Sequence, residues 1–172
     1  MLAVRSLMWT VIAPGTVTLL IPYLIVTRWS PASIGSWGTL QFFALTVITL
    51  GAAVLFHCIW NFAARGRGTL SPLDAPRRLV VEGLYRRMRN PMYVGVLTIL
   101  LGEAVLFQSL VLVGYALCWF GLVNLVIVFY EEPALRRKFG RSYQHYCRHV
   151  GRWFPGRRYS GDEKDGEGYQ AG

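Results

Sequence analysis

Leu79–Gly95, reading LVVEGLYRRMRNPMYVG, holds three arginines, two tyrosines and an Asn-Pro step. Arg86, Arg87 and Arg89 stand just ahead of Pro91, with Tyr85 and Tyr93 on either side of the turn. Further along, Glu131 and Glu132 are adjacent at the end of an apolar run. Guanidinium forks suit a carboxylate or a phosphate. A glutamate suits an ammonium, and tyrosines supply a stacking face and a hydroxyl. A zwitterionic amino acid with a large flat appendage would use all three.

These residues act together only if the chain brings them to one place, and the apolar runs supply the means. Of 172 residues, 53% are hydrophobic and only 16% charged, with a mean hydropathy of +0.37. Soluble domains carry about 25% charged residues, so the composition points to a bilayer. Four runs are expected to be helical. The first spans about Leu7 to Val26, is kinked by Pro14 and Pro22, and is retained as a span rather than cleaved as a signal peptide. The second covers about Thr39 to Ala63, the third Pro91 to Phe107, and the fourth Leu110 to about Tyr130. Roughly 20 apolar residues cross a hydrocarbon core as a helix. Only Gln108 and Ser109 separate the last two runs, which forces an antiparallel hairpin. Pro91 suits the first helical position, with Asn90 as the N-cap. The hairpin therefore sets Pro91 and Tyr130 at one depth, with Arg89, Asn90, Tyr85, Tyr93 and Glu131 around them.

Charge placement fixes an expected orientation. The net charge is +9, and the basic residues cluster between the second and third runs and after the fourth. The positive-inside rule puts both segments in the cytoplasm, with both termini. Charges confined to span boundaries argue for lipid headgroups rather than nucleic acid as partner. After the glutamates, Leu135, Phe139, Tyr143 and Tyr146 recur at helical spacing in a basic stretch, predicting an interfacial amphipathic helix. The fold class expected is all-α: a polytopic membrane protein of about four transmembrane helices with that helix at its C-terminal side. One domain covers 1–158, and an acidic, Gly-rich tail from Tyr159 reads as disordered.

Other residues carry less. Cys58, Cys118 and Cys147 have no C-x-x-C spacing, and His145 and His149, four apart, lack a third ligand, so no metal is expected. His57 is read as a polar residue satisfied by a neighbouring helix. Glu103, inside the third run, sits one turn from the interface, where snorkelling to water competes with a functional role. Nothing in the sequence sets the oligomeric state. S-adenosylmethionine has the carboxylate, ammonium and flat ring that the constellation would bind. The plainer reading stays open beside it: arginines set topology, Asn-Pro caps a helix, and the glutamates pair with Arg136 or Arg137.

GLYRRMRNPMYVG and the later EEPALRRKFGRSYQHY resemble the two signatures of the isoprenylcysteine carboxyl methyltransferase family, grouped with the membrane phospholipid methyltransferases. With the hairpin between them the resemblance covers 66–155. It implies an integral-membrane methyltransferase that uses S-adenosylmethionine and has no Rossmann domain. It further implies that Leu79 and Val80 line the cofactor with their backbone, that Tyr85, Asn90, Pro91 and Tyr93 contact it, and that Glu131 holds its amino group. Arg89 would bind the carboxylate or organise the loop, and Arg89 and Glu131 would be the catalytic pair. A lipid-linked or small hydrophobic acceptor would enter between helices. Two departures concern that acceptor: Arg77 stands where the eukaryotic enzymes have a histidine, and the helix before the glutamates, LVNLVIVFY, has no cation. Esterification of a carboxylate is the first expectation, with N- or S-methylation of a phospholipid or small molecule as the alternative. A non-catalytic protein that binds lipid or a partner through its basic face is the third.

Overall fold

The computed structural model describes residues 13–29, 37–65, 81–156, 158 and 159. Among these the secondary structure is helical, with one isolated bridge, Met88 to Gly151, and no strand. A π-helical turn, Thr16–Leu20, runs into α1, Ile21–Trp29. Then follow α2, Thr39–Arg65; a 3-10 turn, Gly83–Arg86; α3, Pro91–Leu106; and α4, Leu110–Val126. A second π-helical turn, Ile127–Glu131, carries α4 directly into α5, Glu132–His149. The expected boundaries of the second, third and fourth runs fall within a few residues of these. Of the first run, only the part from Ala13 onward lies within the described residues.

The two π-helical turns share a cause. Each ends two residues before a proline, Pro22 and Pro133. A proline inside a helix has no N–H to donate, and its ring collides with the carbonyl four residues earlier. Widening that turn by one residue relieves the collision while the helix continues. The predicted kink thus takes the form of a π-helical turn.

α2 and α3 run antiparallel at close range. A Cβ on Gly51 would lie 2.8 Å from the Gly95 carbonyl oxygen, and one on Gly95 would lie 3.0 Å from that of Gly51. Such backbone approach is how helices associate where the surrounding medium offers no hydrophobic drive. Leu55, Val96, Ile99, Leu100 and Ala116 form the core where α2, α3 and α4 meet. α1 packs against α4, and the π-helical turn before it against α3, placing Ile25 with Ala104 and Leu112 near the hairpin tip. The Tyr115 hydroxyl donates to the Val17 carbonyl, 3.1 Å away. At the tip Ser109 caps α4, accepting from the Leu112 N–H at 3.4 Å.

Among the described residues two helices are long and apolar enough to cross a membrane: Thr39–Asn61, with mean hydropathy 2.2, and the continuous Leu110–His149, with 2.3 in its most apolar window. Only 17% and 22% of those windows are buried within the chain. The core helix of a soluble protein would be mostly covered. Here Phe42, Phe43, Leu50, Phe56, Leu117, Leu122 and Phe129 are open to the surroundings, an apolar surface of the kind that faces lipid. α3 is shorter, with 16 residues.

Candidate active site

Most of the polar residues singled out above gather at the end of the bundle opposite the hairpin tip; Glu103 does not, lying in the last turn of α3 near the tip. The chain leaves α2, and from Val81 to Asn90 it lies across that end. Gly83 makes this possible: its φ is +57°, and a Cβ there would lie 3.0 Å from Asn61 Nδ2 and 3.3 Å from His57 Nε2. Only glycine takes both the left-handed conformation and the contact without strain. His57 and Asn61 thus lie directly under the loop.

The loop is pinned from the other side by the chain after α5. The Arg89 and Asn90 N–H groups donate to the Gly151 and Arg152 carbonyls at 2.9 and 3.3 Å. In return the Gly156 and Tyr159 N–H groups donate to the Arg87 and Arg86 carbonyls, both at 2.8 Å. Tyr159 therefore belongs to the folded unit, although it was expected to begin the tail; residues 160–172 lie outside the described residues. Beneath this pairing Tyr143, Tyr146 and Val150 are buried with Val81, Leu135, Phe139 and Cys147 around them. The apolar stripe predicted on α5 is one face, and it covers the loop. Gly140, at φ +50°, breaks α5 into two segments along that face.

Glu132 is the hub of the ionic contacts. Its Oε1 takes Arg89 at 3.1 Å and Arg152 at 2.8 Å, and its Oε2 faces Arg136 at 3.8 Å. Arg89 also meets Cys147 Sγ at 3.0 Å, and the Tyr143 hydroxyl lies beside it. Burial alone would lower the Arg89 pKa, but Cys147 and Glu132 outweigh it and hold it above its ordinary value. Glu131, one residue earlier, faces the other way. It accepts a 2.5 Å hydrogen bond from the Tyr93 hydroxyl. Among the described residues it has no cationic partner. The Tyr93 ring meets Trp119 edge-on, 6.2 Å between centroids.

Tyr85 closes the space above Tyr93 and Glu131. Burial lifts its hydroxyl well above the ordinary tyrosine value, and Cys58, Tyr146, Tyr93 and Glu131 add to the shift. The Tyr146 hydroxyl, lifted mainly by burial, stays protonated and donates to the Tyr85 carbonyl at 2.6 Å.

Of the residues expected at one depth, the structure brings Tyr85, Tyr93 and Glu131 within reach of one another, with Asn90 and Pro91 at the start of α3, while Arg89 joins Glu132 rather than Glu131. Leu79 and Val80 lie outside the described residues. Asn90 occupies the N-cap position of α3, but its side chain makes no capping bond. Of the two glutamates, Glu132 pairs with Arg136 as the plainer reading allowed, while Arg137 does not join. The backbone pairing between 86–90 and 151–159 was not anticipated. It uses main-chain atoms, which leave no signature in residue types.

The donor set can be compared with S-adenosylmethionine. A carboxylate with no cation among the described residues, tyrosine faces and the Asn90 amide suit its ammonium and ring, so the residues fit the group. No curated protein and no solved structure matched the chain. A family model described as phospholipid methyltransferase does match, over residues 39–142. That stretch runs from the first residue of α2 into α5, takes in both glutamates and Arg89–Tyr93, and reaches one helix further upstream than the two signature strings. Covering more than half of the chain, the match places it in the phospholipid methyltransferase family of membrane methyltransferases.

Proposed function

We propose that this chain is an integral-membrane methyltransferase that uses S-adenosylmethionine, with its active site between the 81–90 loop, the start of α3 and the π-helical turn at Glu131. The observation that supports the proposal is that, among the described residues, Glu131 has no cation beside it while neighbouring Glu132 is fully paired. An anionic group half-buried without a counter-charge is costly unless a ligand supplies one. When bound, S-adenosylmethionine supplies a methyl group already activated on a sulfonium. The chain's own residues then have limited tasks. Glu131 holds the ammonium, with its orientation set by Tyr93. Asn90, Pro91 and Tyr85 line the rest. Arg89 works as a positioning residue: with Arg152 and Glu132 it locks α5 to the loop. The apolar walls of α3 and α4 exclude water and align an acceptor that enters from the bilayer, since alignment supplies most of what such a transfer needs.

The bundle carries four spans, with the basic segments and both termini in the cytoplasm. Supporting this, Arg86–Arg89 and Arg136–Arg152 gather at one end, and the tip at Gln108–Ser109 has no basic residue. The acceptor is a lipid-linked or hydrophobic small molecule. For a carboxylate, already ionised, no base is required. A second reading, transfer to a phospholipid amine, draws support from Glu131 beside the Tyr93–Trp119 aromatic pair, since carboxylates and aromatic faces both attract cations.

Calorimetry with S-adenosylhomocysteine on the purified full chain in detergent tests the proposal. Saturable binding that is lost in Glu131→Gln is the expected result. Absence of binding to protein that retains its helical circular dichroism would sink it. Labelled S-adenosylmethionine with membrane lipids then sorts the acceptors, because a carboxyl methyl ester releases methanol in base and an N-methyl product does not.

A further inference from the structure

Away from Glu131, on the outer side of the same loop, Glu82, Gly83, Arg86, Arg87 and Arg158 line a cleft of about 440 Å³. Two chain segments build it. The Gly156-to-Arg87 and Tyr159-to-Arg86 backbone bonds flank Arg158 and hold it beside the other two arginines. Arg86 Nε donates to the Val81 carbonyl at 3.2 Å, which fixes that side chain and leaves its terminal nitrogens for a ligand. Among the described residues neither Arg87 nor Arg158 has a carboxylate within salt-bridge distance, unlike Arg89, Arg136 and Arg152. Three guanidiniums against one carboxylate make an anion site.

Its surroundings say where the anion comes from. Immediately upstream, Trp153 packs on Phe120 of the apolar helix α4, ring centroids 4.9 Å apart, and Phe154 is 83% exposed. A tryptophan packed on a membrane-spanning surface, as Trp153 is, suits the lipid boundary. Arginines just beyond that boundary stand at the level of lipid phosphates. We propose that this cleft binds the phosphate of an anionic membrane lipid, at a site separate from the Glu131 cradle and independent of the cofactor assignment.

Native mass spectrometry of the detergent-solubilised full chain, titrated with phosphatidylglycerol or phosphatidylcholine, reads the site directly. Phosphatidylglycerol should bind in preference to phosphatidylcholine. In the R87Q/R158Q variant its affinity should fall by roughly 25-fold, about fivefold for each arginine removed. The charge-matched R137Q/R141Q variant, altered on the exposed face of α5, should bind as the parent does. Equal losses in the two variants, or no loss in R87Q/R158Q, would overturn the proposal. Excess inorganic phosphate that displaces the lipid completely would overturn the lipid assignment in favour of a soluble anion. S-adenosylhomocysteine binding by R87Q/R158Q is measured in parallel, so failure of the cleft and failure of the cofactor site are told apart.

Discussion

Glu132 is buried among three arginines, whereas Glu131, one residue before it, meets among the described residues a tyrosine hydroxyl and no cation. The two carboxylates differ by one step along the helix, and that step falls at the end of a π-helical turn. Glu132 turns toward the loop and the returning chain; Glu131 turns toward Tyr93 and the interior of the hairpin. Identical chemistry therefore divides into two tasks. One glutamate closes the end of the bundle, and the other keeps a charge that no cation among the described residues matches. If the division is real, mutations at the two positions should fail in different ways.

The largest effect is expected at Glu132. With 8% of its side chain exposed, its removal leaves Arg89 and Arg152 facing each other without a counter-charge. Glu132→Ala should cost about 3–5 kcal/mol. A thermal unfolding midpoint in detergent, followed by tryptophan fluorescence, checks this. A midpoint as high as the parent's would show that the clamp does not hold the loop. Glu131→Gln comes next and should act on binding alone. The amide still accepts from Tyr93, so the midpoint should stay near the parent value. Affinity for S-adenosylhomocysteine should fall by the worth of a charged hydrogen bond, about 1.5–3 kcal/mol. Coincident losses of stability in both variants would erase the distinction between the two residues.

Tyr93→Phe sharpens the Glu131 side. Its hydroxyl is the only described hydrogen-bond partner of that carboxylate. Deleting it should lower affinity for S-adenosylhomocysteine by about 1 kcal/mol, the net worth of one hydrogen bond. Binding calorimetry reads the change, and the double variant with Glu131→Gln should lose less than the sum, because the two side chains act as one unit.

Much of this arrangement was legible in residue types. Pro91 after Asn90 marked a helix start, Gln108-Ser109 marked a turn too short for anything but a hairpin, and the hairpin brought Tyr93 and Glu131 to one level. What stayed hidden has three physical causes. Which glutamate faces which way depends on the extra residue in the Ile127–Glu131 turn; Pro133 was visible, but the register shift it imposes is not a feature of an apolar run. The pairing of Arg86–Asn90 with Gly151–Tyr159 uses backbone atoms that every residue has. The close approach of α2 and α3 rests on Gly51 meeting Gly95, two residues that look unremarkable within their own helices and matter only across the interface.

Arg136 gives the smallest effect and the cleanest control. Among the three arginines on Glu132 it is the most exposed, at 58% of its side chain, and the most distant, at 3.8 Å. It also lies four residues along the same helix, where ion pairs contribute about 0.3–0.5 kcal/mol. Salt screens such a contact, whereas Arg89, 14% exposed and 3.1 Å away, is shielded from it. Arg136→Gln should therefore shift the unfolding midpoint slightly at low salt and not at all at high salt. The same test on Arg89→Gln should give a loss that salt does not remove. A salt-independent loss at Arg136 would mean that Glu132 needs all three arginines. The contrast with Glu131 would then lie in the number of partners rather than in their burial.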